Sequence, residues 1–96
     1  MAVTSAYLSK IKKAAGITAT YYDEDIVDKV EESRGEMIRV GILSAKTIDE
    51  TDTNILRAIR TYVRSCYPED EAEAVRLVAS FESQISALSM SDGYFE

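Results

Sequence analysis

The sequence predicts one all-α domain: a compact bundle of four main helices, with a long connection at residues 41–52 and an extended C-terminal tail. Three observations lead to this prediction. Apolar residues recur every three to four positions in four separate stretches. Helix-breaking residues fall between these stretches, at Gly16, Gly41 and Pro68. No stretch alternates apolar and polar residues as a half-buried strand does, and no Asn-Gly hairpin signal is present.

The first helix is predicted from Ser5 to Ala15. Its apolar residues share one face, with the lysines on the other. Thr4 or Ser5 can cap the free N–H groups at the start, and Gly16 suits the left-handed conformation just past the end. The lysines lie toward the C-terminal half, where the helix dipole favours positive charge.

The second helix opens at an acidic run, Tyr22 to Asp25, which suits the positive end of the helix dipole, and it ends before Gly41. Its apolar stripe consists of Ile26, Val30, Met37 and Val40. Gly35 lies on the opposite face, where an interior glycine costs about 1 kcal/mol relative to alanine. Two interpretations of Gly35 stay open: tolerated drift, or the close approach of another backbone.

Residues 41–52 form a longer connection than the roughly two to eight residues usual between helices of a bundle. Its large aliphatic residues suggest that it packs on the core rather than extending into solvent. They are Ile42, Leu43 and Ile48. The connection ends at Asp52 or Thr53, and either residue can cap the next helix.

The third helix runs from this cap to Pro68, which cannot continue it. Its predicted buried face consists of Ile55, Ile59, Tyr62, Val63 and Cys66. Arg57, Arg60 and Arg64 fall within about 60° of one another on the opposite face, at about 100° per residue. This arginine face is either solvated or a contact surface, since the planar guanidinium suits paired carboxylates at interfaces.

The fourth helix is predicted to use Pro68 in its first turn and to fray near Ser89. Its apolar stripe consists of Ala74, Leu77, Val78, Phe81, Ile85 and Leu88. We therefore assign residues 1–88 to the helical domain and residues 89–96 to a tail.

The tail is unusual because a frayed terminus is normally polar, whereas this one holds Met90, Tyr94 and Phe95. Two interpretations stay open. These side chains fold back onto the core, or they form a peptide arm whose anchors occupy a pocket of a partner protein.

Composition argues against an enzyme. The chain has no histidine and only one cysteine, Cys66. Histidine-based acid–base and nucleophile pairs, an internal disulfide and a thiolate metal cluster are therefore excluded. The four glycines are scattered, so no phosphate-binding loop is present. We expect no catalytic, cofactor or metal site.

The net charge of −6 disfavours sequence-independent binding to nucleic acid. The charge is unevenly distributed: residues 1–20 hold three lysines and no acid, whereas residues 68–96 hold seven acids and one arginine. Such a chain can meet a copy of itself head to tail. No apolar run approaches the roughly 20 residues of a membrane span, and no secretory signal is recognisable, so we expect a cytoplasmic protein without membrane contact.

The order of elements resembles the small head–tail connector proteins of long-tailed bacteriophages, also called head-completion or adaptor proteins. The resemblance covers most of the chain from about Tyr7 onward. It lies in an acidic run, a helix followed by Gly-Ile, an Asp-Thr helix start and a terminal Gly-Tyr. The stretches are Tyr22–Asp28 continuing to Arg39–Ile42, Asp52–Ile59 with Tyr62 and Val63, and Phe81–Tyr94.

This resemblance implies a structural role. Proteins of this family form a ring, usually of twelve copies, beneath the portal at one capsid vertex, where the ring extends the DNA channel and docks the tail. The implied partners are other copies, the portal protein and a tail-side connector or stopper protein, with DNA only passing through the channel. The implied location is the virion, after assembly in the host cytoplasm. Met90 to Phe95 would then reach toward the portal or the next ring.

The resemblance assigns no role to Arg57, Arg60, Arg64 or Gly35. From the residue types alone, we make the separate hypothesis that these four residues lie at the subunit boundary or the channel wall. Two other functions remain as alternatives. One is a small helical DNA-binding or antitoxin-like regulator with the third helix as its recognition helix. The other is a carboxylate-dependent enzyme, although no acid lies within an apolar face.

Overall fold

The computed structural model describes residues 3–95, and this part of the chain contains five α-helices and no strand. The helices are α1 (Ser5–Ala15), α2 (Asp23–Arg39), α3 (Ser44–Thr47), α4 (Thr53–Cys66) and α5 (Glu71–Ser89). The all-α prediction is therefore confirmed.

Local capping chemistry explains where several helices begin and end. The Thr4 hydroxyl accepts a hydrogen bond from the Tyr7 N–H at the start of α1. Gly16 ends α1 with φ of 73°, a left-handed conformation that glycine adopts without a steric penalty. The Asp52 carboxylate accepts the N–H groups of Asn54 and Ile55 at the start of α4. The predicted bounds of α1 agree with the structure.

Two details of the four-helix prediction need correction. The connection at residues 41–52 contains the short helix α3, which the four-helix prediction did not include. Pro68 is not in the first turn of the last helix. That helix begins at Glu71, and Asp70 caps it by accepting the Glu73 N–H at 2.7 Å. The aspartate cap therefore decides the helix start, two residues beyond the proline.

Helix α4 is the centre of the packing, and it contacts α1, α2 and α5. Its fully or nearly fully buried residues are Ile55, Leu56, Ala58, Ile59 and Val63. Tyr62 and Cys66, predicted to be buried, are half-buried. The other helices contribute core residues that include Ile11, Ile26, Val30, Met37, Phe81 and Ile85. A single core thus surrounds α4.

The molecule is flat, with principal extents of 39 × 30 × 18 Å. Because an α-helix with its side chains is about 10 Å across, 18 Å corresponds to two helix layers. Helix α5 packs mainly on α4. As a result, one side of α5 has no helix against it.

None of the helices within residues 3–95 combines the length and apolar character that a membrane span requires.

Candidate functional site

The three side chains of the arginine face of α4 differ in their exposure to solvent and in their ion pairs. Arg57 is exposed, whereas Arg60 and Arg64 are half-buried. The Arg64 guanidinium lies 3.9 Å from the carboxylate of Glu73 on α5. Among the described residues, neither Arg57 nor Arg60 forms an ion pair or a side-chain hydrogen bond, and the Nε of Arg60 is buried without an acceptor. Two of the three predicted arginines therefore have no acidic partner within the described chain.

Arg57 borders an open groove between α4 and α5. Six of its eight lining residues are polar; the lining residues are Asn54, Arg57, Ser80, Ser83, Gln84, Ala87, Leu88 and Ser91. The Gln84 amide donates to the hydroxyl groups of Thr61 and Ser80, both at 3.2 Å. Its Oε1 atom is buried without a donor in the described chain. The arginine face is thus continuous with a hydroxyl-rich groove.

Gly35 lies on the exposed side of α2, in a groove between α2 and α3. A Cβ atom placed on it would meet no heavy atom within 4 Å. No part of the described chain therefore approaches this glycine closely. The interpretation that another backbone packs there stays a prediction, and it requires a partner protein.

The structure separates the three tail residues that were grouped as docking anchors. Tyr94 is half-buried and packs against the core, so the tail turns back at this residue and is not extended throughout. Met90 and Phe95 are 73% and 42% exposed. Only these two side chains of the group face solvent.

Asp52 holds the turned tail in place with the oxygen that does not cap α4. Its Oδ2 atom accepts the Tyr94 hydroxyl at 2.7 Å, and the Lys46 Nζ lies 3.9 Å away. The Leu43 N–H donates to the Tyr94 carbonyl at 2.8 Å. Asn54 also donates to the Tyr94 hydroxyl. The sequence offered Asp52 or Thr53 as the helix cap, but nothing in the local pattern pointed to the second role of Asp52.

Arg34 is a buried residue that the sequence analysis missed. Only 3% exposed, it donates from Nε to the Thr47 carbonyl at 2.9 Å and from Nη1 to Glu31 at 3.0 Å. Its guanidinium carbon lies 5.9 Å from the centre of the Tyr7 ring. Arg34 therefore connects α1, α2 and α3. Its spacing of four residues from Val30 and three from Met37 places it on the apolar stripe, which is the signal that could have revealed it.

A second surface missed from the sequence is an apolar strip on α5. It consists of Ala74, Val75, Val78 and Ala79. Val75 and Val78 are 67% and 43% exposed. Val78 belongs to the predicted apolar stripe, but it is exposed because α5 packs mainly on α4 and no other helix of the described chain covers this side of α5.

The cysteine and the acidic side chains are candidate metal ligands and nucleophiles in the described part of the chain. No cluster of three or more histidine, cysteine, aspartate or glutamate side chains that could hold a metal ion occurs among the described residues. Burial is the main cause that raises the pKa of the half-buried Cys66 thiol above its ordinary value. A raised pKa lowers the thiolate fraction at neutral pH, and the thiolate is the reactive form.

The pKa values of two tyrosine side chains are also raised above their ordinary value. Burial raises the pKa of Tyr7 and of Tyr62 to about 12, and for Tyr62 the hydrogen bond to the Glu32 carboxylate adds to this effect. Both hydroxyls therefore stay protonated at neutral pH.

No family model matches this chain, and neither a curated protein nor a solved structure matches it.

Proposed function

We propose that this protein is structural: a head–tail connector subunit that forms a ring under the portal of a long-tailed bacteriophage, extends the DNA channel and docks the tail. The sequence resemblance described above suggests this role. The ring requires heterologous contacts, in which one patch meets a different patch on the next copy. The described surface of the chain offers patches of opposite charge for such contacts.

The observation that carries the proposal is the incomplete pairing of the arginine face. In a chain of net charge −6, Arg57 and Arg60 form no ion pair within the described residues. Glu69, just before the start of α5, is exposed and also forms none. An arginine–carboxylate contact between neighbouring copies would satisfy both surfaces, and guanidinium groups suit such contacts.

The tail supports docking to another protein. Tyr94 fixes the backbone of the tail against Leu43, so Met90 and Phe95 are presented from a held segment and not from a free chain end. A preorganised anchor loses less conformational entropy on binding than a flexible one. In this proposal the two side chains contact the portal or the adjoining ring.

The test is to mix the purified protein with the portal protein encoded in the same phage genome and to image the product by electron microscopy. We expect a ring of copies on the portal. The double charge reversal Arg57→Glu and Arg60→Glu should abolish it, whereas Arg39→Glu and Arg76→Glu, a matched change at two exposed arginines outside the arginine face, should leave it intact. Absence of any complex across a range of salt concentrations would refute the connector role.

The DNA-binding alternative receives less support. A recognition helix presents its base-reading side chains to the major groove. Here α4 is the central helix of the core, and Arg64 already faces Glu73. A gel-shift assay at low salt separates the two functions, since a regulator retards a DNA duplex and a connector subunit does not.

A further inference from the structure

A groove between α2 and α5 lies beside the apolar strip of α5. Its lining residues are Glu36, Arg39, Tyr62, Phe81 and Ile85, together with Val78 and Glu82, which also belong to the surface of the strip. Tyr62 and Phe81 pack against each other in this groove, with ring centres 4.9 Å apart. The strip and the groove therefore form one continuous surface, which we call the α5 shelf.

The α5 shelf has the dimensions of a helix-binding site. From Glu71 to Ile85, α5 spans 15 residues, or about 22 Å at about 1.5 Å per residue. Helices α2 and α5 both pack on α4, and the groove lies between them along the second half of this length, from Val78 to Ile85. One further helix on the shelf would cover Val75 and Val78, the most exposed valines of the chain. Docking of an amphipathic helix in an apolar groove is a common recognition mode.

The charge of the shelf indicates what kind of helix fits. Glu71 and Glu82 lie on the same face of α5 as Val75 and Val78, are exposed, and form no ion pair among the described residues. Glu36 is neutralised by Arg39 at 2.8 Å. Arg76 projects about 120° away from Glu82 around the helix axis, at about 100° per residue. The shelf therefore carries an unbalanced negative charge beside an apolar strip.

This charge disfavours the α5 helix of a second copy as the occupant. If two α5 helices met antiparallel on their strips, the centre of the contact would lie near residues 76 and 77. Glu71 of one copy would then face Glu82 of the other, at both ends of the contact. Like charges at such close positions are unfavourable.

We propose that the α5 shelf binds a basic amphipathic helix of another protein. The aliphatic face of that helix covers Val75 and Val78, and its lysine or arginine side chains pair with Glu71 and Glu82. This inference does not depend on the connector role, because it concerns a surface that the arginine face and the tail do not include.

The test uses two synthetic helical peptides of 18 residues with the same leucine and alanine face, one flanked by lysines and the other by glutamates. Each is titrated into isotopically labelled protein and followed by NMR. We expect shifts confined to residues 71–85 and 36–39, and binding of the lysine peptide at least about tenfold tighter at low salt. The preference should shrink as salt screens the charges.

Two variants and two matched controls sharpen the test. The double variant Val75→Ser and Val78→Ser, and separately Glu82→Lys, should each weaken binding of the lysine peptide at least about tenfold. Met90→Ser changes an exposed apolar residue outside the shelf, and Glu24→Lys an exposed acid at the far end of α2. Neither control should alter binding. All five positions are exposed, so the four variants should fold, which circular dichroism verifies.

The proposal is overturned if neither peptide shifts the shelf resonances, or if both peptides bind equally. It is also overturned if sedimentation reveals self-association that the Val75→Ser and Val78→Ser double variant abolishes, since the occupant would then be a second copy. Failure of the portal mixing experiment would leave this result unaffected.

Discussion

At the scale of single residues, buried polar groups distinguish this structure from a simple apolar bundle. Tyr7 is 2% exposed, and its hydroxyl has no hydrogen-bond partner in the described chain. A buried polar group without a partner loses its hydrogen bonds to water and regains none. The buried hydroxyl of Tyr7 therefore lowers the free energy of unfolding.

The first prediction concerns Tyr7→Phe, which removes this hydroxyl and keeps the ring. We expect the free energy of unfolding to rise by about 1 kcal/mol, because the desolvation cost disappears. A change of this size raises the melting temperature by roughly 4–8 °C in a domain of this length. Thermal denaturation followed by circular dichroism measures it, with Tyr21→Phe, at an exposed tyrosine, as control. A loss of stability would mean that the hydroxyl has a partner.

The same residue determines a pH dependence. The pKa of Tyr7 is raised from 10.0 to about 12 in the folded state, mainly by burial, so folding favours the protonated hydroxyl. Its contribution to stability is complete below pH 10 and is lost as the pH rises toward 12. In Tyr7→Phe, stability should fall less steeply between pH 10 and 12. A remaining slope is expected from Tyr62, whose pKa is also raised to about 12.

At the scale of helices, α2 contains one position that lowers its stability without a reason within the described chain. Gly35 is in the interior of α2, is exposed, and has space around its missing Cβ. Glycine in a helix interior costs about 1 kcal/mol relative to alanine. The missing Cβ leaves space on this side of α2 for the backbone of a partner.

The second prediction follows for Gly35→Ala. The isolated protein should gain about 0.5–1 kcal/mol in its free energy of unfolding, measured by urea denaturation, because alanine favours the helix and meets no obstacle. If another backbone packs against Gly35 in the assembled ring, the same variant should form fewer rings with the portal protein. Greater stability with unchanged assembly would leave Gly35 without a role at the subunit boundary.

At the scale of the whole molecule, Asp52 joins three parts of the chain. One of its oxygens caps α4, while the other accepts the Tyr94 hydroxyl and lies near Lys46. The tail, the connection at residues 41–52 and the start of α4 are thereby held together. Because Tyr94 is 42 residues away from Asp52, this contact exists only in the tertiary structure.

The third prediction is a double-mutant cycle on this contact. Asp52→Ala should lower the free energy of unfolding by about 1–2 kcal/mol, because the cap and the tail contact are both lost. Tyr94→Phe should lower it by roughly 0.5–1.5 kcal/mol. The double variant should be less destabilised than the sum, since the two residues share one hydrogen bond. Strict additivity in urea denaturation would show that the tail is not held by Asp52.

Local chemistry explains how much of the fold was predictable. The bounds of α1, the apolar face of α4 and the cap at Asp52 depend on spacing and on groups within four residues of each other, and sequence displays both. The short helix α3 was missed because its four residues have no periodicity to detect. The start of the last helix was misplaced because an aspartate cap and a proline lie only two residues apart, and either can begin a helix.

By itself, then, the sequence determined the helical class, most helix positions and the cationic character of one face of α4, because these follow from periodicity along a single helix. Only the tertiary structure decided that Arg64 pairs with Glu73, that Tyr94 turns back onto Asp52, and that the α5 strip stays uncovered. The physical reason is that these features depend on which helices are neighbours. Packing around α4 decides which helices lie next to each other, and this cannot be deduced from the residue pattern of any single helix.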